Sequence, residues 1–190
     1  TNYRYIFLLI IILGVCSASK WVYQADLLNA QTIDGNEIKE LIGNVSISKD
    51  DITLTTNRAI LYSKNDKLEL FENIIMTNGN DTLKCDTLFY RPKIKDLDYF
   101  IAAGDVTLFN NKQYINSDSL YYWSKIDSIY AFGNVLVNDS SSNLQAQSIN
   151  YWKTKGFYGY SFNANNNVII STSESEIRGS EVIYIDSIQH

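Results

Sequence analysis

Gly104-Asp105-Val106-Thr107-Leu108-Phe109-Asn110-Asn111-Lys112-Gln113-Tyr114-Ile115-Asn116-Ser117-Asp118-Ser119-Leu120-Tyr121-Tyr122 is the stretch on which the fold turns. Val106 and Leu108 alternate with polar neighbours, the pattern of a strand with one buried face. Asn110-Asn111-Lys112 then interrupts the run with residues that accept the left-handed backbone angles of a tight turn. A second apolar segment follows, in which Ile115, Leu120 and Tyr122 surround a small residue, Ser117, and an acidic one, Asp118. One such stretch predicts a hairpin.

Both halves of the hairpin recur. The first motif reappears as Gly43-Asn44-Val45-Ser46-Ile47, Glu72-Asn73-Ile74-Ile75-Met76, Gly133-Asn134-Val135-Leu136-Val137 and Asn166-Asn167-Val168-Ile169-Ile170, with starts 29, 32, 29 and 33 residues apart. The second motif ends in Tyr62, Tyr90, Tyr122, Tyr151 and Tyr184, separated by 28, 32, 29 and 33 residues. An aliphatic residue stands seven places before the Tyr, as in Leu83, Ile115, Leu144 and Ile177, with Leu54 displaced by one in the first copy. Cys85, Ser117, Ala146 and Gly179 supply a small residue five places before it, and Arg58 takes the place that Asp86 and Asp118 hold elsewhere. Ala25-Asp26-Leu27-Leu28 opens the array as an incomplete copy.

A repeat of two strands in about 30 residues is too short for a four-stranded propeller blade of about 40–45. A parallel β-helix coil would carry more strands and corners. The expected fold is all-β, an antiparallel roll that gains one hairpin per repeat and buries one face along its length, with open ends.

Composition narrows the function. The 190 residues carry 16 Lys and Arg against 21 Asp and Glu, a net charge of −5, and 45% are hydrophobic. That is too apolar for disorder and too acidic to grip a polyanion, so nucleic acid is not an expected partner. With one His, at position 190, and no clustered acid–base residues, no enzyme activity, metal or cofactor is expected. Asp50-Asp51 and Asp96/Asp98 read as solvated acidic turns rather than calcium ligands. Arg91-Pro92-Lys93-Ile94-Lys95 is the basic cluster that could meet a lipid phosphate, though a solvated turn explains it as well. Cys85 reads as a small buried hydrophobe.

The first eighteen residues differ from the rest. Arg4 precedes an unbroken apolar run from Ile6 to Val15, followed by Cys16-Ser17-Ala18-Ser19. This is the layout of a secretory signal, and the run is shorter than the about 20 residues that span a bilayer. The expected organisation is a signal at 1–18 and one β-domain at 19–190, in an exported chain. Lipidation at Cys16 and retention as a membrane anchor are the alternatives. Cleavage leaves 15 basic residues against 21 acidic ones, a net charge of −6.

Ala25-Asp26, Cys85-Asp86-Thr87-Leu88-Phe89-Tyr90 and Ser117-Asp118-Ser119-Leu120-Tyr121-Tyr122, set beside Gly43-Asn44-Val45, Gly104-Asp105-Val106 and Gly133-Asn134-Val135, resemble the OstA-like family of periplasmic lipopolysaccharide-transport proteins over roughly residues 22–186. The resemblance implies a folded-over antiparallel jelly roll, or β-taco, in which lipopolysaccharide acyl chains occupy an apolar groove. It further implies docking of edge strands to other β-roll components or to further copies, bridging the inner and outer membranes. The alternating aliphatics expected to line that groove are Val45, Ile47, Leu54, Leu68, Leu70, Ile74, Met76, Leu83, Ile101, Val106, Leu108, Ile115, Ile129, Val135, Val137 and Leu144. Plain core packing would produce the same alternation, and the repeated Tyr residues read as sheet-packing rings with solvated hydroxyls. The alternative function is a structural envelope or surface protein that self-assembles without lipid. A β-helical polysaccharide lyase comes third, and would need an acid–base site the sequence lacks.

Overall fold

The computed structural model describes residues 21–94, 97–110, 113–123, 128–153 and 160–185; the predicted signal and His190 lie outside them. Twelve strands follow in chain order: β1 (Val22–Gln24), β2 (Leu27–Ile33), β3 (Asn36–Lys49), β4 (Ile52–Tyr62), β5 (Lys67–Asn78), β6 (Asp81–Ile94), β7 (Leu97–Asn110), β8 (Gln113–Trp123), β9 (Ser128–Asn138), β10 (Ser142–Lys153), β11 (Tyr160–Thr172) and β12 (Glu176–Tyr184). They form one antiparallel sheet in which β3 to β12 pair in sequence order, while β1 and β2 both pair with β3 as two pieces of one edge. The two-strand repeat is thus a hairpin added to a growing sheet. Asp50-Asp51 makes the expected turn, Gly79-Asn80 and residues 63–66 make others, and Asn111-Lys112 lie outside the described residues; β6 continues through Arg91 to Ile94, where a turn would explain the basic cluster.

The Gly-Asn pairs sit in the middle of strands. At Gly43-Asn44, Glu72-Asn73, Gly104-Asp105, Gly133-Asn134 and Asn166-Asn167 both residues have positive φ, from 42° to 79°. The strand register shifts at each of these places. Two successive left-handed residues make a bulge that bends a strand, and aligned bulges crease the whole sheet. Short polar side chains tolerate this backbone; Glu72, at φ 70°, does so at greater strain.

The Asp of the second motif is the partner of that bulge. Asp26 donates its backbone N–H to the Gly43 carbonyl at 2.9 Å and accepts from Asn44 Nδ2 at 2.8 Å. Asp118 accepts from Asn134 Nδ2 at 3.0 Å. A Cβ added to Gly104 would lie 2.8 Å from the Cβ of Asp86, so the acidic side chain occupies the space a larger residue would need. The two motifs keep step because each crease needs both. In the first repeat the residue beside the crease is Asn57, not Arg58. Leu54, Thr56, Ala59 and Leu61 are buried in the spacing of Leu83, Cys85, Leu88 and Tyr90. Leu61 therefore stands where Tyr90 does, and Tyr62 points outward to Glu69 at 3.1 Å, its ring 4.5 Å from Lys67 Nζ. Counted from Leu61, the second motif has the same intervals as the first, 29, 32, 29 and 33.

Candidate functional site

Folding about the crease turns one face of both halves inward. The half between the crease and the ends of β3, β5, β7, β9 and β11 at Lys49, Asn78, Asn110, Asn138 and Thr172 carries an aliphatic row in direct register. It runs from Ile47 through Leu54, Met76, Leu83, Leu108, Ile115, Val137, Leu144 and Ile170 to Ile177. Val45, Ile74, Val106, Val135 and Val168 lie beside the crease, alternating with the smaller Thr56, Cys85, Ser117 and Ala146. In the other half Leu41, Ala59, Leu70, Leu88, Ala102, Leu120, Ala131, Ile149 and Ala164 form a second row, packing large against small except where Leu70 meets Leu88.

Of the sixteen aliphatics expected inside, the structure brings fifteen to this inner face. Fourteen are buried and Val137 is half-buried against them. Ile101 is the exception. It pairs with Phe89 and Tyr121 on the outer face, while its neighbours Phe100 and Ala102 point in. That outer row, continuing to Tyr130, and the adjacent Tyr121–Trp123 stack at 6.0 Å account for part of the aromatic content.

The inner face is filled. Ile47, Leu54, Leu70 and Leu88 have 0% exposure, so the space between the halves holds their own side chains and not an open trough. Each buried Leu or Ile contributes roughly 1.5–3 kcal/mol. Three surface hollows of about 350, 270 and 300 Å³ recur along the outside of the crease, lined in part by Asn134 and Gln147, by Lys84 and Asp86, and by Asn44 and Asn57. The first and third are mainly polar and the second, beside Ile74, Ile75 and Cys85, is mixed, unlike the continuous apolar trough the resemblance implies. Cys85 is buried beside Ile74, and burial, then the Asp86 charge, pushes its thiol up to about 12. Arg91, from the basic cluster, lies over the Phe89 ring at 5.3 Å and 3.7 Å from Glu69. Among the described residues, no three His, Cys, Asp or Glu side chains gather as a metal site.

The repeated Tyr residues were underrated by the sequence. In register, Leu61, Leu68, Tyr90, Phe100, Tyr122, Ile129, Tyr151, Phe162 and Tyr184 form a third inner row, next to the margin opposite the crease. Tyr90 and Tyr122 are buried, and the hydroxyls of Tyr122 and Tyr151 are not simply solvated as expected. Tyr122 Oη accepts from Asn78 Nδ2 at 3.4 Å, and Tyr151 Oη donates to Gln113 Oε1 at 2.9 Å. The identity of a Tyr every 30 residues was the signal, but its partners lie on strands two or three places away.

The profile of the family described as OstA-like protein matches residues 19–178. The chain belongs to the OstA-like family. No curated protein sequence matches it. Among solved structures, that of LptH from Pseudomonas aeruginosa is similar; it is described as the LptA-homologous periplasmic component of the conserved lipopolysaccharide transport device. It is 13% identical, with 77% of this chain and 82% of that chain covered, at a TM-score of 0.30. The OstA-like match takes in every crease and both inner faces. Among the described residues no helix is long and apolar enough to cross a membrane.

Proposed function

We propose that this OstA-like chain is a periplasmic lipopolysaccharide-binding and transport protein. Its lipid acyl chains lie between the aliphatic inner faces, and it forms part of a bridge from inner to outer membrane. The observation that carries this is the unbroken aliphatic inner face, ten strands wide, in a chain of this family. Burying one methylene is worth about 0.8 kcal/mol, so such a face holds a long acyl chain with no covalent chemistry. The filled interior means that lipid replaces intramolecular contacts by parting the halves. The two free edges suit docking of further β-rolls or a second copy. Leu27, Leu28 and Ile33 on β2 are 49–51% exposed, as are Ile177, Ile183 and Tyr184 on β12 at 50–57%. Unpaired backbone beside exposed apolar side chains is a template for strand addition. The family match begins at residue 19, next to the predicted signal, which supports export.

The closed interior also favours a second reading, a structural envelope protein that assembles through its edges and holds no lipid. Native mass spectrometry of the chain isolated from its own envelope separates the two. The transport reading expects a lipopolysaccharide-sized increment that delipidation removes and added lipid A restores. A chain that emerges bare and takes up no lipid A supports the structural reading.

A further inference from the structure

Opposite the crease the two margins of the folded sheet meet, and among the described residues no strand ladder joins them, only side-chain contacts. Lys49 and Asn78 end β3 and β5, and Gln113 begins β8, all at one margin. Tyr90, Tyr122 and Tyr151 stand near the ends of β6, β8 and β10, at the opposite margin. None of these strands is hydrogen-bonded to the strand it touches here. Lys49 Nζ lies 5.5 Å from the Tyr90 ring centre and 3.2 Å from Asp66, while Trp21 meets Tyr90 edge-on at 5.2 Å. Tyr122 holds Asn78, and Tyr151 holds Gln113. The contacts recur at successive repeats with the same direction of stagger, each bridging to a strand two, three or more places back in the order.

We propose that this margin is a lateral gate, latched once per repeat by Tyr90, Tyr122 and Tyr151, through which the apolar ligand enters sideways. What enters rests on the transport reading; the gate itself does not. A hydroxyl hydrogen bond in water is worth only a two- to tenfold shift in an equilibrium, whereas the crease is backed by backbone ladders in every strand. Opening therefore hinges at the crease and begins at the Tyr margin. The aromatic row behind the latches, Tyr90–Phe100 at 5.2 Å and Phe100–Tyr122 at 6.5 Å, keeps the rings in place when a hydroxyl is lost.

The test uses the full chain with a reporter thiol, Ala102→Cys, on the wholly buried second row, its alkylation located by mass spectrometry. Adding Tyr122→Phe with Tyr151→Phe should raise the labelling rate at least fivefold without lipid, and should raise the lipid A association rate in parallel. Tyr130→Phe, on the outer face, and Asn134→Ala, which removes the Asp118 contact from the exposed side of the crease without touching a latch, should leave both rates within twofold. Labelling unchanged in the double variant, or raised as much by Asn134→Ala, overturns the latch. Faster labelling with an unchanged lipid rate overturns sideways entry. Faster labelling in a chain that binds no lipid A supports the latch and defeats the transport reading instead.

Discussion

Leu83 and Tyr90 on β6 occupy the same places in the repeat as Ile177 and Tyr184 on β12, yet their surroundings are opposite. The first pair is 1% and 3% exposed, the second 56% and 50%. The local sequence sets the strand, its crease and its inward face. The neighbouring repeats and the facing half supply the burial, as in other linear arrays where each unit is stabilised by the next. The last strand carries a buried-type pattern that no other described residue covers, which is why the edges are proposed as docking surfaces.

That contrast can be broken by mutation. Leu83→Ala should cost about 3 kcal/mol of unfolding free energy by denaturant titration, because the cavity left in the middle of the sheet cannot collapse. Ile177→Ala should cost under about 0.5 kcal/mol in the isolated chain, as at an exposed surface site. If the two cost the same, β12 is covered in solution. Next in size, Gly104→Ala should lose about 2 kcal/mol or more, from the left-handed backbone at φ 79° and the collision with Asp86. Gly179→Ala, where a Cβ would meet Glu181 O at 3.4 Å with no positive φ, should be close to neutral.

The Cys85 thiol titrates near 12 when folded against 9.0 unfolded, so its raised value favours the folded state fully below pH 9. That contribution is lost as the pH climbs from 9 toward 12, at up to about 1.4 kcal/mol per pH unit. Cys85→Ala should flatten this limb of the stability profile, and iodoacetamide should leave Cys85 unmodified at pH 8. Smallest, Glu72→Gly should raise stability by about 0.5–1 kcal/mol by relieving the one crease whose first residue is neither Gly nor Asn. A loss there would mean that Glu72 makes a contact worth more than the strain.

These differences also show what the sequence could carry. Intervals, turns and alternation sufficed for the hairpin array and for fifteen inner residues. Ile101 went astray because Tyr99-Phe100-Ile101-Ala102-Ala103 is apolar throughout, and a run without alternation does not say which side faces in. Tyr62 went astray because a conspicuous side chain set the register. A one-residue slip reverses every face in a strand, so Leu61 was passed over. The crease could be seen as Gly-Asn pairs, but its effect depends on bulges lining up across neighbouring strands. The Tyr margin was beyond reach, since its partners come from strands that are neighbours only after the sheet folds.

If the inner face is the lipid-holding face, contact with lipid must come from inside the fold. Photo-crosslinking probes placed one at a time at Val106 and Val135 inside, and at Ile101 and Tyr130 outside, in cells making lipopolysaccharide, read this out. Lipopolysaccharide adducts are expected from Val106 and Val135 and none from Ile101 or Tyr130. Adducts only from the outer positions, or from none of the four, would contradict it.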